Sequence, residues 1–234
     1  TGRDAARRCV LYRLTREARR IPRPALDDWE TGWMARGLGV ELAVRGFPGV
    51  FSVGRLDPGT ALLLSSLEGA SPAGAVLDWG CGCGVVGAAL MTSWHRARVT
   101  LADSNALAVE SARRTLKANG LDERAVVAAD VFEGADGERG RTGLGPWDLI
   151  VSNPPFHDGE ETDTGATESL IREAPGRLAA GGRLRIVANR FLRYAPRLRR
   201  AAVRSAGRRR RGRRCRSAPP ESPDARIARG AMGR

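Results

Sequence analysis

The chain has 234 residues, 42% of them apolar, which suffices for one sizeable α/β domain with an ordinary core. No run of about 18 apolar residues could span a bilayer and no basic leader precedes an apolar stretch, so we expect a cytoplasmic protein without a membrane partner. The four cysteines fit neither a disulfide framework nor zinc-ligand spacing, and we predict reduced thiols and no metal site.

The net charge of +13 comes almost entirely from the C-terminal end. Residues 197–234 contain 14 Arg against Glu221 and Asp224, a balance of +12, which leaves about +1 for residues 1–196. Most of the chain is therefore close to neutral, and the basic character belongs to an Arg-rich tail that we predict to be disordered.

The N-terminal part shows little regular pattern. Residues 1–38 combine Arg, Pro and acidic residues with one short apolar stretch, Cys9–Tyr12, and we interpret them as a strand remnant followed by a linker. After Gly39, the alternation of apolar residues over Val40–Val44 predicts a strand. We expect a second short strand at Phe47–Phe51.

A regular alternation of strands and helices follows. A helix is predicted over Pro58–Leu67, because Asp57 can cap it and proline suits the first helical position. The next predicted strands are Ala75–Trp79, Arg98–Ala102, Val126–Ala129, Leu149–Ser152 and Leu184–Ala188, and the next predicted helices are Val85–Trp94, Asn105–Asn119 and Thr167–Leu178. This order predicts an α/β domain over residues 39–196 with a doubly wound, mostly parallel, Rossmann-like sheet that binds its ligand at the carboxyl ends of the strands.

A glycine-rich turn follows the first strand of this alternation. Asp78, Gly80, Cys81, Gly82 and Gly84 belong to the D-x-G-x-G-x-G segment, and we predict that they bind a cofactor. Glycines at alternate positions allow a sharp turn and a close approach of a ligand, and the next helix offers its N-terminal amides. Cysteine is small enough to fill such a loop, so we do not expect reactive thiols here.

Acidic residues end the next two strands. Residues 82–87 also satisfy the dinucleotide pattern G-x-G-x-x-G, and Asp103, placed to accept ribose hydroxyls beside Ser104, fits either NAD or S-adenosylmethionine. Asp130 ends the third strand, where it can accept from an adenine amine while Val131 packs on the ring. Two such residues at successive strand ends favour a cofactor site over two helix caps.

The fourth strand leads into a segment that favours methyl transfer. Asn153, Pro154, Pro155 and Phe156 match the N-P-P-[FY] motif of class I methyltransferases that modify planar amines or amides, and the segment resembles that group. Because the segment lies beside the sulfonium in that group, the resemblance also implies that Asn153 contacts the cofactor. Such an amine is a weak nucleophile, so the Asn153 side-chain carbonyl and the Pro154 backbone carbonyl would accept its hydrogens and aim the nitrogen, while Phe156 stacks on the base. An acid/base pair at His157–Asp158 is possible, but we favour a role in pocket shape.

Several segments together are similar to the RsmC/RlmG type of ribosomal RNA guanine-N2 methyltransferase. The matching segments are Pro48–Ser52, Leu56–Thr60, Asp78–Gly84, Asn153–Gly159 and Gly182–Asn189. The resemblance covers about residues 4–194. It implies a class I methyltransferase domain, S-adenosylmethionine as cofactor, and ribosomal RNA or the ribosomal subunit as partner. We also expect a monomer.

The chain departs from this family at both ends. Asp4–Tyr12 is similar to the end of a methyltransferase-like domain that precedes the catalytic one in the family, so we expect the chain to start late. After Pro196 no alternating apolar run could form the final β-hairpin, which we predict to be missing. With Lys117 as its single lysine against 38 Arg, the chain suggests GC-rich coding. For the tail we favour an altered reading frame or a degraded terminus over an RNA-binding arm.

Three alternatives to guanine-N2 methylation remain open. Glutamine-N5 in a protein and adenine-N6 present the same NH₂ group to an N-P-P-[FY] site. A non-catalytic RNA-binding or scaffold protein would use the tail for phosphate contacts, but we would then expect damaged cofactor residues.

Overall fold

A computed structural model of the chain describes residues 2–6, 9–13, 24–70, 73–130, 133–134, 146–154, 165–188, 194 and 196–200. The strands are β1 (Gly2–Ala6), β2 (Cys9–Arg13), β3 (Thr31–Gly37), β4 (Val40–Gly46), β5 (Gly74–Trp79), β6 (Ala97–Asp103), β7 (Val126–Asp130), β8 (Glu133–Gly134), β9 (Trp147–Ser152) and β10 (Leu178–Ile186). The helices are α1 (Pro58–Ser65), α2 (Val85–Ser93), α3 (Ala106–Ala118) and α4 (Gly165–Arg177), with 3₁₀ turns at Leu26–Trp29 and Glu123–Ala125.

The central sheet has the order β10-β9-β5-β6-β7-β8. The five strands β10, β9, β5, β6 and β7 run parallel, and the short β8 is antiparallel to β7. The chain moves outward from β5 through β6 to β7 and then returns to the other side of β5 with β9. The predicted Rossmann-like, doubly wound sheet is confirmed, and its topological switch point lies between β5 and β9.

Tight packing of α2 and α3 on β6 forms much of the core. Leu101 of β6 and Ala112 of α3 are fully buried. A Cβ atom at Gly87 would lie 2.4 Å from Leu101 side-chain atoms, and one at Gly84 would lie 3.0 Å from Ala112. Glycine at both positions therefore brings the start of α2 close to its neighbours, which sets the position of the loop before it.

Most predicted elements agree with the structure to within two residues, with two exceptions. The strand predicted at Phe47–Phe51 is wrong: Phe47 and Val50 are buried, but the segment forms turns, with Gly49 at φ +88° and Pro48 lacking a ladder donor. The last parallel strand, β10, begins six residues before the predicted Leu184, because Leu178 already pairs with β9.

The sequence analysis also missed the antiparallel β3–β4 hairpin, since β3 lies within the segment assigned to the linker. Asn119, at the end of α3, holds this hairpin by accepting from the Ala43 amide at 3.0 Å and donating to its carbonyl at 2.8 Å. Arg114 of α3 binds Glu30 at 2.6 Å and lies 4.9 Å from the centre of the Phe47 ring. These contacts fix the chain that leads into the loop before α1.

The Arg-rich tail and the missing final hairpin concern residues that, apart from a helical turn at 196–200, lie outside the described ranges. The domain boundary after residue 196 therefore stays a prediction. The boundary after residue 38 also stays a prediction. None of the helices in the described ranges is long and apolar enough to cross a membrane.

Candidate active site

The glycine-rich loop leaves β5 at the switch point of the sheet. Gly80, Gly82 and Gly84 have φ values of +69°, +54° and +78°, which side chains with a Cβ rarely adopt. The Ala102 carbonyl at the end of β6 accepts from the amides of Gly80 at 2.8 Å and of Cys81 at 3.0 Å. A Cβ at Gly80 or Gly82 would meet no atom within 4 Å, so the loop presents open backbone surface to a ligand.

Asp103 joins this loop to the end of β6. One carboxylate oxygen accepts from the Gly82 amide at 2.9 Å, and the other accepts from the Asn105 amide at 2.9 Å. Asn105 in turn caps α3 by accepting from the Leu107 amide at 2.8 Å. An ionised carboxylate has about four acceptor positions, so Asp103 can hold the loop and still accept from the hydroxyls of a ribose.

Asp78 is buried at the end of β5, with only 2% of its surface exposed. Its carboxylate accepts from the Gly87 amide in the first turn of α2 at 2.8 Å. Burial is the main cause that raises the pKa of Asp78 to about 7; the charge of Asp103 raises it further, and the Gly87 hydrogen bond partly offsets both. The visible role of Asp78 is to hold α2 against β5, and its predicted contact with a cofactor stays a prediction.

The raised pKa predicts a pH-dependent stability that Asp78→Asn should remove. The Asp78 carboxyl binds its proton more tightly in the folded chain than in the unfolded chain, so its stabilising contribution is lost as pH rises from about 4 to about 7. Asparagine stays neutral. In thermal melts without ligand we expect the Tm of Asp78→Asn minus that of the wild type to be at least about 4 °C larger at pH 8 than at pH 5. A Tm difference that is the same at pH 5 and at pH 8 would contradict the raised pKa of Asp78.

The loop cysteines are structural. Cys81 and Cys83 are 9% and 5% exposed, and the Cys83 thiol lies 3.8 Å from the Phe51 carbonyl. Burial raises the pKa of Cys81 and raises that of Cys83 to about 12, so both remain protonated thiols at neutral pH. This agrees with the interpretation that they fill the loop.

Asn153 follows β9 and meets the loop before α1. Its side-chain NH₂ group donates to the Asp57 carboxylate at 2.9 Å and to the Thr60 hydroxyl at 3.0 Å. The same Asp57 oxygen accepts from the Thr60 amide at 2.9 Å and so caps α1, as predicted. The sequence analysis missed the contact between Asp57 and Asn153, because 96 positions separate them.

The parallel pairing of β5 and β9 aligns the two halves of the site. Asp78 pairs with Val151, so Gly80 and Asn153 each follow the paired residues by two positions. Adjacent strands lie about 4.8 Å apart. The glycine-rich loop and the Asn153 side chain therefore leave neighbouring strands at the same level of the sheet.

The remaining predicted site residues are only partly described. Ser104 is exposed beside Asp103, and Asp130 ends β7, where its backbone alone is described. Pro154 is buried directly after Asn153. Val131, Pro155, Phe156, His157 and Asp158 lie outside the described residues. In the described part of the chain, no group of three or more His, Cys, Asp or Glu side chains could hold a metal ion.

The strand order, the glycine-rich loop and Asp103 at the next strand end define a Rossmann-like class I methyltransferase. The chain belongs to the methyltransferase small domain family, which matches residues 41–208. A putative SAM-dependent methyltransferase from Streptococcus mutans, 18% identical with a TM-score of 0.54, covers 75% of this chain and 46% of its own and shares the fold.

More similar proteins carry ribosomal RNA methyltransferase names. Ribosomal RNA small subunit methyltransferase C of Pseudomonas aeruginosa (strain LESB58) is 48% identical over 196 residues, covering 82% of this chain and 55% of the relative. The T. thermophilus 16S rRNA N2 methyltransferase RsmC, solved in complex with AdoMet and guanosine, is 32% identical with a TM-score of 0.64, covering 80% of this chain and 48% of that one. The chain thus spans about half the length of the relatives it matches.

Proposed function

We propose that the chain transfers a methyl group from S-adenosylmethionine to the exocyclic N2 amine of a guanine in ribosomal RNA. The cofactor is S-adenosylmethionine, as in the T. thermophilus relative. Naked RNA and an assembled ribosomal subunit are both possible substrates, and we propose a monomer that acts in the cytoplasm.

The observation that carries the proposal is that Gly80 and Asn153 directly follow two neighbouring parallel strands and leave the sheet at the same level. A cofactor held by the loop after β5 then lies beside an amine held by Asn153. Positioning of this kind is the main contribution that a protein can make to a displacement reaction. Because the two reactants are already held in the reacting geometry, the entropy cost of bringing them together is not part of the barrier of the chemical step.

The described residues fit the cofactor. Gly80 and Gly82 leave open space above the backbone, and Asp103 retains acceptor positions for the ribose hydroxyls. When bound, S-adenosylmethionine supplies a methyl group whose bond to sulfur breaks as the bond to the amine nitrogen forms, leaving S-adenosylhomocysteine.

The methyl acceptor is oriented by the chain's own carbonyl groups. The Asn153 NH₂ group donates to Asp57 and Thr60, so this end of the side chain is already engaged. The carbonyl oxygen at the other end of the amide is the group that we propose accepts from a substrate amine. We propose that the Pro154 backbone carbonyl accepts the second amine hydrogen and that Phe156 stacks on the base. The extra proton of the methylated amine passes to water.

Other acceptors that carry an NH₂ group use the same chemistry, so they are alternatives. Glutamine-N5 and adenine-N6 fit the Asn153 carbonyl, but the relatives at 45–48% identity bear ribosomal RNA methyltransferase names. A non-catalytic scaffold is disfavoured because Asp103 and Asn153 keep the hydrogen bonds that position both halves of the site.

The test uses S-adenosylmethionine with a labelled methyl group and small-subunit ribosomal RNA from cells that lack the matching methyltransferase. We expect label in N2-methylguanosine after nuclease digestion, with naked RNA and assembled subunits assayed in parallel. RNA made with inosine instead of guanosine lacks the N2 amine and should accept no label. Label in N6-methyladenosine, or in a glutamine-containing release-factor fragment in place of RNA, would identify one of the alternatives.

A further inference from the structure

The hydrogen bonds around Asn153 determine which end of its side-chain amide faces the substrate. A terminal amide has an NH₂ end that donates and a carbonyl end that accepts, and a half-turn about its last bond exchanges them. The carboxylate of Asp57 only accepts, so it requires the NH₂ end at the observed distance of 2.9 Å. Thr60 accepts the second hydrogen at 3.0 Å.

We infer that Asp57 and Thr60 are positioning residues that fix the Asn153 carbonyl toward the methyl acceptor and thereby select substrates that offer an N–H donor. The inference rests on the proposed function, in which Asn153 receives the amine. A reversed amide would offer NH₂ to the substrate and would favour an oxygen or ring-nitrogen acceptor in place of an amine.

Gly59 packs closely against this arrangement. An added Cβ at this position would lie 2.8 Å from the bonded Asp57 oxygen and 2.9 Å from the Asn153 carbonyl oxygen. Gly59 is not among the glycines with positive φ and belongs to α1, so its backbone conformation is open to alanine. The absence of a side chain is therefore needed for space beside the Asn153 amide.

The acceptor chemistry of position 57 can be separated from its capping of α1. Asp57→Ser keeps a capping hydroxyl, but its shorter side chain withdraws from Asn153. Asp57→Asn keeps a carbonyl oxygen that can accept from both Thr60 and Asn153. We expect Asp57→Ser to slow single-turnover methyl transfer about 10- to 100-fold, while Asp57→Asn stays within about fivefold of the wild type.

Position 60 offers a second matched pair. Thr60→Val has nearly the same shape but no acceptor, and we expect methyl transfer to slow about tenfold. Thr60→Ser restores the hydroxyl and should restore the rate. Gly59→Ala should slow transfer by displacing the Asn153 amide and the Asp57 oxygen beside it. Rates are compared well below the Tm of each variant.

Two further measurements distinguish positioning from loss of structure. S-adenosylmethionine affinity by calorimetry should stay within about threefold of the wild type in every variant. In ¹⁵N NMR spectra, the Asn153 side-chain amide, assigned through Asn153→Ala, should exchange slowly with water in the wild type and rapidly in Asp57→Ser.

The outcomes separate this inference from the proposed function. A wild type that transfers no methyl group to RNA refutes the proposed function, and the NMR comparison then still decides whether Asp57 holds the amide. An Asp57→Ser variant with wild-type rate, or with unchanged amide exchange, overturns the positioning role. A rate loss that follows cofactor affinity or Tm overturns it as well.

Discussion

Replacing Asn153 with alanine is expected to reduce methyl transfer to ribosomal RNA by about 100- to 1,000-fold. The substitution removes the carbonyl that we propose accepts from the substrate amine, and losing one preorganised hydrogen-bonding group in an active site costs about 3 to 4 kcal/mol of transition-state stabilisation. Single-turnover rates with saturating S-adenosylmethionine measure this effect directly. The affinity for the cofactor should change much less, by no more than about tenfold.

A matched control is Asn119→Ala, because Asn119 holds the β3–β4 hairpin to α3 through two hydrogen bonds with Ala43. Its third side-chain hydrogen bond goes to Thr115 of its own helix, outside the site. We expect this variant to lower the Tm and to keep the wild-type rate below its melting temperature. If Asn119→Ala lost as much activity as Asn153→Ala, the effect of Asn153 would have to be assigned to stability. Full activity of Asn153→Ala would rule out its proposed role.

Replacing Asp103 with alanine is expected to weaken S-adenosylmethionine binding by at least about 100-fold in isothermal titration calorimetry. The change removes the acceptor proposed for the ribose hydroxyls and also the hydrogen bonds to the Gly82 and Asn105 amides. Each lost hydrogen bond to a charged group is worth about 1.5 to 3 kcal/mol, and about 2.7 kcal/mol corresponds to 100-fold in affinity.

Asp122→Ala is the matched control for this variant. Asp122 also accepts from the amide two positions later, that of Arg124, at 3.0 Å. It caps the 3₁₀ turn that leads into the amino end of β7, whereas Asp103 lies at the carboxyl end of β6. The control should bind the cofactor as the wild type does. Wild-type affinity in a folded Asp103→Ala variant would refute the cofactor assignment of the loop.

The meeting of the glycine-rich loop with Asp103 could be predicted from the sequence because the two are local. Gly80, Gly82 and Asp103 lie within one strand–helix–strand unit, and a parallel sheet brings the ends of its strands together. The role that we propose for Asn153 was predicted from a short motif that carries its own chemistry. The alternation of apolar segments was sufficient for the sheet, since buried parallel strands are nearly continuous apolar runs.

The parts that escaped prediction depend on contacts between distant segments. β3 contains glycines and an exposed Met34, so its sequence lacks the alternation of a half-buried strand, and pairing with β4 determines its conformation. Asp57 was recognised as a helix cap, which is a local property. Its second partner, Asn153, becomes its neighbour only when α1 is placed against the end of β9, and no local pattern encodes that.

This difference between the two halves of the site has a consequence for how the site assembles during folding. The loop after β5 and Asp103 can meet once a single βαβ unit has formed, which closes a short stretch of chain. The amide of Asn153 takes its orientation from residues 96 and 93 positions away, so its partners meet only after a large loop has closed. Under the proposed function, cofactor recognition is thus a property of a local unit, whereas the capacity to hold a methyl acceptor is a property of the assembled domain.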